Sequence, residues 1–269
     1  MIIDFHTHVF PEKIAAKTID ALAKNSNNTP SFNGTVDGLL GVMDRANCDI
    51  SVALPVLTKP TQFDSVANYA IAINERFRNE SRKIISFAGM HPDCDDIEGK
   101  LAFLKNNGIK GIKIHPDYQA TFIDDPKYIR IIEVCKELDL IVVTHSGIDD
   151  GYVGQPIRCP VERVKDVIKK VGHRKFVLGH YGAHKQWQET LDFLCDFDVY
   201  FDTAFTLNEI PEELFKSILK RHGDDKILFA TDGPWQDIKN NVEVIKGYKL
   251  GKETEEKIFY KNAIKLLGI

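Results

Sequence analysis

The segment Asp4-Phe5-His6-Thr7-His8 places two imidazoles and a carboxylate at alternate positions, directly after a short apolar run. In an extended strand, residues two apart lie on one face, so Asp4, His6 and His8 are predicted to point the same way. Two neutral imidazoles at this spacing can bind a single divalent metal ion. A His-x-His pair alone is weak evidence, because two polar residues at a strand end can also simply face water.

Other histidines follow apolar, β-branched runs in the same manner. Of the nine histidines, the six that stand at the ends of such runs are His6, His8, His91, His115, His145 and His180. Histidines scattered at random would fall mostly on helix surfaces and in loops. This distribution predicts a functional site built where strands end.

Simpler explanations exist for some of these residues. His91 and His115 each precede a proline and could serve only to bond loop carbonyls. His184 begins a helix and is expected to be solvated. Asp4 lies one layer below His6, where it could orient a ligand histidine through a hydrogen bond.

Side chains at strand ends meet only if the strands are arranged to bring those ends together. Eight apolar runs predict strands at 2–8, 50–56, 84–90, 109–115, 140–146, 175–181, 198–204 and 227–232. Helical spacing and capping residues predict helices at 11–24, 36–46, 64–80, 97–106, 127–138, 161–171, 185–195, 212–221, 237–246 and 254–267. Eight βα repeats predict an α/β fold, a (β/α)8 TIM barrel formed by residues 1–269 as one domain, with its site at the carboxyl ends of the strands.

Composition narrows the function classes. A net charge of −4 argues against a nucleic-acid partner, which would need a basic surface. No apolar run approaches the roughly 20 residues of a membrane span, and the strand predicted at residue 2 leaves no room for a signal peptide. The five scattered cysteines predict reduced thiols. We therefore expect a cytoplasmic protein that acts on a small molecule, with homo-oligomerisation left open.

Several stretches together resemble the amidohydrolase superfamily. They are Asp4 to His8, Lys113-Ile114-His115-Pro116, Thr144-His145-Ser146-Gly147, Gly179-His180, Phe229 to Pro234, and the ending Tyr260 to Leu267. The branch they resemble is the amidohydrolase-related group that includes aminocarboxymuconate-semialdehyde decarboxylase. The resemblance extends from residue 4 to about residue 267, and it implies a distorted (β/α)8 barrel with a divalent metal ion at its mouth.

By this resemblance, His6, His8, His145 and Asp232 are the expected metal ligands, and His180 is the expected acid–base residue. The expected cofactor is one Zn²⁺, with Mn²⁺, Fe²⁺ or Co²⁺ as alternatives. Three imidazoles, one carboxylate and an open position are typical of a catalytic rather than a structural site. Such an ion activates water and polarises carbonyl groups. Asp232 is also expected to accept a hydrogen bond from the activated water.

Lys113 leaves the number of ions open. It alternates with Ile112 and Ile114, so it is predicted to face inward with His115, and a buried charge needs a partner. In the two-metal hydrolases of the superfamily, a lysine on the fourth strand is carboxylated and bridges two ions. In the decarboxylase branch, a lysine or arginine binds a substrate carboxylate instead. We favour one ion, because buried cations near polar sites more often pair with anions than carry a modification.

Three functions follow from this site. The first hypothesis is a metal-dependent hydrolase of a small amide, ester or lactone, with Lys113 as a third catalytic residue beside His180 and Asp232. The alternative is a metal-dependent, non-oxidative decarboxylase of a small unsaturated or aromatic acid, with Lys113 and Arg158 as carboxylate anchors. A non-catalytic metal-binding protein is disfavoured, because every expected ligand is present.

Substrate specificity is less readable from the sequence. It is expected to arise in loops 28–34, 117–124 and 147–159. The predicted substrate contacts are Lys113, His115, Arg158, Tyr181 and Trp235.

Overall fold

Nine short strands, each parallel to its neighbours, form the centre of the protein in a computed structural model that describes residues 1–269. They are β1 (Ile3–Thr7), β2 (Ile50–Ala53), β3 (Lys83–Ser86), β4 (Ala88–Gly89), β5 (Gly111–Ile114), β6 (Ile141–Thr144), β7 (Phe176–Leu178), β8 (Tyr200–Asp202) and β9 (Ile227–Leu228). β3 and β4 are the two halves of one predicted strand, separated at Phe87. The barrel therefore has the eight strand positions that the sequence predicts.

Two sets of backbone hydrogen bonds close the sheet into a barrel. Between β1 and the end of β9, the Phe5 N–H donates to the Phe229 carbonyl at 2.9 Å, and the Asp232 N–H donates to the His6 carbonyl at 2.8 Å. At the interruption between β3 and β4, the Phe87 N–H donates to β2. The fold class predicted from the sequence is confirmed.

Helices cover the outside of the barrel. They are α1 (Glu12–Ser26), α2 (Val36–Ala46), α3 (Phe63–Arg76), α4 (Ile97–Asn106), α5 (Pro126–Glu137), α6 (Val161–Val171), α7 (Trp187–Phe193), α8 (Glu212–His222), α9 (Ile238–Gly247), α10 (Lys252–Glu256) and α11 (Asn262–Leu267). A π-helical segment, Lys257–Lys261, joins α10 to α11, so the last predicted helix is continuous but irregular. No helix is long and apolar enough to cross a lipid bilayer.

Local sequence explains where several helices begin. The Thr35 hydroxyl accepts a hydrogen bond from the Gly38 N–H at the start of α2, as predicted for an N-cap. The Asp125 carboxylate accepts one from the Lys127 N–H, and Pro126 occupies the first turn of α5, where no N–H is needed.

The buried residues form two layers. The smaller cluster, of 16 residues, fills the barrel and includes Val143 and Val177. Leu266 of α11 belongs to the same cluster, and the Lys110 ammonium donates to the Leu267 carbonyl beside the start of β5. The carboxyl-terminal helix therefore packs at the end of the barrel opposite the strand ends that were predicted to carry the site.

A β-bulge in β1 corrects the predicted alternation of its side chains. Relative to β2, β1 has one extra residue between Asp4 and Thr7. Phe5 therefore belongs to the cluster inside the barrel, although His6 and His8 also face inward, at the barrel mouth. A strictly alternating strand could not direct both Phe5 and His6 into the barrel. The bulge allows it, because the extra residue changes which side chains share a face.

The bulge also gives Asp4 a different role from the predicted one. Its carboxylate accepts hydrogen bonds from the N–H and the hydroxyl of Thr231, at 3.0 and 2.6 Å, and from the His6 N–H. Asp4 forms no hydrogen bond with a histidine ring; its carboxylate joins β1 to the segment after β9 instead of orienting a ligand.

Candidate metal centre and active site

A cavity of about 190 Å³ opens at the carboxyl ends of the strands. Of the ten residues predicted for the site, the eight that line it are His6, His8, Lys113, His115, His145, His180, Asp232 and Trp235. These residues come from five strand ends that are far apart in the sequence. The barrel mouth therefore gathers most of the side chains that were singled out by type and spacing.

The hydrogen bond that orients His8 leaves its other ring nitrogen, Nε2, directed at a carboxylate. Its Nδ1–H donates to the Leu54 carbonyl at 2.8 Å, and its Nε2 lies 2.9 Å from Oδ1 of Asp232. A neutral imidazole that donates through Nδ1 presents a lone pair at Nε2. Two acceptors thus face each other, and only a proton or a metal ion between them satisfies both.

His6 is oriented in a similar way by a carboxylate. Its Nδ1 lies 2.9 Å from Oδ2 of Asp202, on β8, so the proton is on Nδ1, and Nε2 is an acceptor that faces the Lys113 ammonium at 3.1 Å. Burial lowers the pKa of His6 well below its ordinary value, which keeps the ring neutral. Its Nε2 lies 3.4 Å from Oδ1 of Asp232.

The group His6, His8 and Asp232 fits a divalent cation. One ligand atom from each lies within 4.8 Å of the other two. Burial acts to raise the pKa of Asp232 and the adjacent imidazoles act to lower it, with the result below its usual range, so the carboxylate is ionised beside the Nε2 atoms of His6 and His8. Imidazole and carboxylate ligands suit zinc and similar ions.

His180 and His145 form a chain of hydrogen bonds whose direction can be deduced. The Ala204 carbonyl can only accept, so His180 donates through Nδ1 at 2.9 Å. Burial lowers the pKa of His180 to about 4, so its Nε2 carries a lone pair and accepts the Nδ1–H of His145 at 2.9 Å. His145 is also neutral, and its buried Nε2 is a free acceptor with no hydrogen-bond partner.

A second polar group lies on the same cavity. One ligand atom each of His115, His145 and Asp149 lies within 4.8 Å of the other two. The rings of His115 and His145 are stacked at 4.4 Å, and Tyr118 stacks on the other face of His115. Burial raises the pKa of Asp149 to about 6.

Lys113 lies at the base of the cavity. It is 1% exposed, and its Nζ lies 3.1 Å from Nε2 of His6. Burial lowers its pKa to about 8, although the carboxylates of Asp202 and Asp232 act in the opposite direction. It forms no salt bridge within the protein, so the expected direct partner is absent from the chain itself.

The backbone leaves the strand conformation at several site residues. His180, Tyr181 and Asp232 have φ values of 62°, 59° and 62°, in the left-handed region that side chains other than glycine rarely adopt. The predicted strands 175–181 and 227–232 therefore end earlier, at Leu178 and Leu228. Strained residues of this kind are common at functional sites.

Two of the predicted substrate contacts are wrong. Tyr181 is fully buried outside the cavity, where it stacks on Phe215 at 4.5 Å and donates its hydroxyl to the Phe215 carbonyl, because the two consecutive left-handed residues turn it away from the mouth. Arg158 does not line the cavity. Its backbone N–H donates to the Asp117 carboxylate, and its guanidinium lies 3.7 Å from the same carboxylate.

Two further histidines were given structural explanations in the sequence analysis, and the structure contradicts the one for His184. His184 is not solvated. It is 3% exposed, lines the cavity, and lies 3.4 Å from the carboxylate of Asp150. His91 does not line the cavity; its Nδ1 accepts the Asp93 N–H within the loop, and no bond to a loop carbonyl of the kind expected is formed.

Sequence reasoning missed Asp202 and Asp149. Asp202 is fully buried and accepts hydrogen bonds from the His180 and Ala204 N–H groups as well as from His6. Its signal was a carboxylate inside an apolar predicted strand, Tyr200-Phe201-Asp202. Asp149 lay in a loop of similar polar residues and carried no comparable signal.

A family model described as Amidohydrolase matches residues 3–269. A search of curated proteins found no match.

Similar solved structures align over nearly all of both chains. One is an uncharacterised TIM-barrel protein from Bordetella bronchiseptica, at 16% identity and a TM-score of 0.79, covering 99% of this chain and 98% of that one. Another is 5-carboxyvanillate decarboxylase from Sphingomonas paucimobilis, at 14% identity and 0.70, covering 100% and 99%. A third is a dihydroxybenzoic acid decarboxylase from Polaromonas with bound manganese and 2-nitroresorcinol, at 15% and 0.72, covering 99% and 96%. At these identities the likeness establishes a shared fold.

Proposed function

The chain belongs to the amidohydrolase family, and from this membership we propose that it is a metal-dependent decarboxylase of a small unsaturated or aromatic acid. The decarboxylase names among its structural relatives support this choice over the hydrolase hypothesis. The observation that carries the proposal is that the Lys113 ammonium is buried at the cavity and forms no salt bridge within the protein.

Lys113 is the one lysine or arginine that lines the cavity. It is buried, and the carboxylates of Asp202 and Asp232 that act on it lie beyond salt-bridge distance. A buried charge without a directly bonded anion is costly. A carboxylate on the substrate would supply the missing anion. Arg158, the other predicted anchor, is turned towards Asp117, so the proposal rests on Lys113 alone.

The walls of the cavity support a flat substrate. Its aromatic lining consists of Phe10, Tyr118, Phe205 and Trp235. Aromatic faces pack well against planar rings. A volume of about 190 Å³ suits a small acid.

Decarboxylation requires that a proton replace carbon dioxide on carbon. A divalent ion held by His6, His8 and Asp232, with His145 as the fourth predicted ligand, would supply a Lewis acid that polarises a substrate oxygen. Lys113 orients the carboxylate. When the carbon–carbon bond breaks, the electron pair stays on the substrate carbon and carbon dioxide leaves.

The protein group placed to handle the proton is His180. Its Nδ1–H is committed to the Ala204 carbonyl, so any proton that His180 gives to the substrate carbon must leave from Nε2. That nitrogen accepts the Nδ1–H of His145 in this structure, so proton delivery requires this hydrogen bond to open. We propose one ion, Zn²⁺ by its ligands, with Mn²⁺ tested beside it because a relative contains manganese.

The test is release of carbon dioxide from a panel of unsaturated and aromatic acids by the metal-loaded protein. Chelation should abolish release, and Zn²⁺ or Mn²⁺ should restore it. Lys113→Met should abolish it, and Lys113→Arg, which keeps the charge, should retain part of it. No release from any acid, or release that persists after thorough chelation, contradicts the proposal.

A second candidate, hydrolysis of a small amide, ester or lactone, is favoured by one observation. The Nδ1 of His145 and the Nε2 of His180 face each other at 2.9 Å, with Lys113 on the same cavity. This is the pair that would hold a second ion if Lys113 were carboxylated. Metal analysis and intact mass distinguish the cases: two ions per chain and a carboxylated lysine would favour hydrolysis.

A further inference from the structure

We propose that residues 149–157, called here the mouth loop, form a lid over the cavity that opens to admit the substrate. The latch of this lid is the contact between the Asp150 carboxylate and the Lys185 ammonium. This proposal rests on the proposed function for the kind of molecule admitted, a small acid. Control of access itself applies to any reaction in the cavity.

The groups at the base of the cavity have almost no exposure to solvent. Lys113 is 1% exposed, His180 5% and His145 6%. An acid that places its carboxylate on Lys113 is therefore almost completely enclosed when bound. Loops that open and close over such sites commonly provide the route for substrate and product.

The mouth loop and helix α1 bound the cavity together. The loop residues that line the cavity are Asp149, Asp150 and Gly151, and those of α1 are Thr18, Leu22 and Ser26. The turn Asp150–Tyr152 of the loop also lies against α1. Displacement of the loop away from this helix would therefore widen the entrance.

The ends of the mouth loop are fixed, whereas the loop itself is attached weakly. At its base, Gly147 and Cys159 are buried, and the Gly147 N–H donates to the Cys159 carbonyl at 2.9 Å. No residue of the loop is buried, and Val153 is 83% exposed. The backbone hydrogen bonds of residues 149–157 join this segment only to itself. A segment with so few contacts opens at a low cost in free energy.

A second cavity, of about 200 Å³, adjoins the mouth loop. Apart from Asp117 and Ile148, it is lined only by residues of the loop. Oδ2 of Asp117 is buried without a hydrogen-bond partner, so the contacts in this region are incomplete. Residues that line a cavity have fewer packing partners than residues in a filled core. The loop therefore has both room to move and little packing to hold it.

The Asp150 carboxylate makes the only side-chain hydrogen bonds between the mouth loop and the rest of the protein. Its two oxygens lie 2.6 and 2.7 Å from the Lys185 ammonium, and Oδ2 lies 3.4 Å from Nε2 of His184. The side chains of Lys185 and Asp150 are 39% and 28% exposed, so water can replace their contact. An ion pair of this exposure contributes little free energy, which suits a contact that must open repeatedly.

A thiol placed inside the cavity tests whether the loop controls access. Val9 lines the cavity and is 5% exposed, so Val9→Cys provides a buried reporter. Its alkylation by iodoacetamide is followed by mass spectrometry of the peptide that contains residue 9, which separates it from the five native cysteines, all buried. Phe205, which also lines the cavity, provides a second reporter as Phe205→Cys if the first variant does not fold.

Loss of the latch should speed alkylation of the reporter. Lys185→Met should raise the rate about two- to fivefold, the effect expected of a partly exposed ion pair. Sodium chloride at about 1 M screens this pair, so it should raise the rate with Lys185 present and have little effect in Lys185→Met. Hydrogen exchange of the mouth loop, measured in Lys185→Met without any added cysteine, should rise by a similar factor.

Lys216→Met is the matched control. Lys216 pairs with Glu212 on α8 and is 38% exposed, close to the exposure of Lys185, but neither Lys216 nor Glu212 lines the cavity. Its replacement removes the same charge and the same kind of ion pair. Alkylation of the reporter and exchange of the mouth loop should stay unchanged in this variant.

The outcomes separate the lid from the proposed function. Faster alkylation in Lys185→Met than in Lys216→Met, with faster exchange confined to the mouth loop, supports the lid. Equal alkylation rates overturn it, even if exchange rises, because the loop would then move without controlling access. No substrate enters these measurements, so the lid stands or falls whether or not any acid releases carbon dioxide.

Discussion

Every histidine that faces the candidate metal centre is oriented by an acceptor outside the expected ligand set. The Leu54 carbonyl fixes His8, the Asp202 carboxylate fixes His6, and the Ala204 carbonyl fixes His180. These contacts decide which ring nitrogen carries the proton. The chemistry of the site therefore depends on residues that make no contact with a metal ion or substrate themselves.

Replacement of Asp202 tests this dependence. In Asp202→Asn the one remaining carbonyl oxygen can accept either from the His180 and Ala204 N–H groups or from the Nδ1–H of His6, and in either case without charge, so we expect metal affinity to fall about 10- to 100-fold while the barrel stays folded. Metal affinity is measured by competition with a chromophoric chelator. Asp198→Asn, an exposed substitution just before the same strand, should leave affinity unchanged. Equal affinities in the two variants would contradict the role of Asp202.

The two histidines of the hydrogen-bonded pair should respond differently to removal. If one ion is bound, His145→Ala should lose metal, whereas His180→Ala should keep it and lose about 10²- to 10⁴-fold in rate, the usual contribution of an acid–base group. Metal content is measured by mass spectrometry beside the turnover number. Loss of half of two bound ions in His180→Ala would contradict the one-ion assignment.

At the scale of elements, loops after the strands fix the shape of the cavity. Gly147, just after β6, has a φ of 89°, and it pairs with Cys159 and His184 in isolated bridges that join two loops. A Cβ atom at this position would lie 2.2 Å from the His184 nitrogen. The backbone of the neighbouring loop leaves no room for any side chain there.

The glycine at 147 has a natural control in the same loop. Gly154 also has a positive φ, 82°, but a Cβ atom there meets nothing within 4 Å. Gly154→Ala should cost about 1 kcal/mol, the usual conformational cost, whereas Gly147→Ala should cost clearly more because backbone must move. The free energy of unfolding in urea measures both. Similar losses of stability in Gly147→Ala and Gly154→Ala would contradict this expectation, because they would show that the backbone around Gly147 shifts freely.

His173, in the connection before β7, predicts a pH dependence of stability. It donates through Nε2 to the Leu140 carbonyl, and burial lowers its pKa to about 4, with Lys136 and Lys175 acting in the same direction and Asp139 against them. The unfolded chain binds a proton near pH 6.5, so this contribution is present above pH 6.5 and is lost as the pH falls towards 4.

Replacement of this histidine isolates its contribution. His173→Gln can keep the hydrogen bond but cannot titrate. Between pH 7 and pH 5, wild type should lose about 2 kcal/mol more stability than the variant. Urea unfolding at both pH values measures the difference. The other buried histidines contribute equally to the stability of both proteins, so their contributions cancel. Parallel losses in the two proteins would contradict the assignment.

The sequence predicted most elements because their signals are local. Thr35 and Pro126 start helices through contacts within one turn, and strands of β-branched residues need no distant information. The direction of Tyr181 could not be predicted, because it depends on two left-handed backbone residues. The bulge in β1 was equally hidden, since it is defined only by pairing with β2.

At the scale of the whole molecule, the site joins the two ends of the chain. His8 and Asp232 are 224 positions apart in sequence and lie 2.9 Å apart. A ligand that bridges them should stabilise the closed barrel. Saturating Zn²⁺ at a hundredfold excess over its dissociation constant should add about 2.7 kcal/mol, and excess chelator should remove it. Thermal melting measures both, and an unchanged midpoint would contradict a metal site that spans β1 and the end of β9.

The hydrogen bonds between β1 and the end of β9 have a consequence for biosynthesis. A ribosome delivers Phe5 long before Phe229, so one edge of the first strand has no partner while the rest of the chain is made. An unpaired strand edge invites aggregation. The nascent chain is therefore exposed until its last strand is released, and the three facing groups of His6, His8 and Asp232 cannot capture an ion earlier. Metal uptake should thus be a late event that reports completed folding.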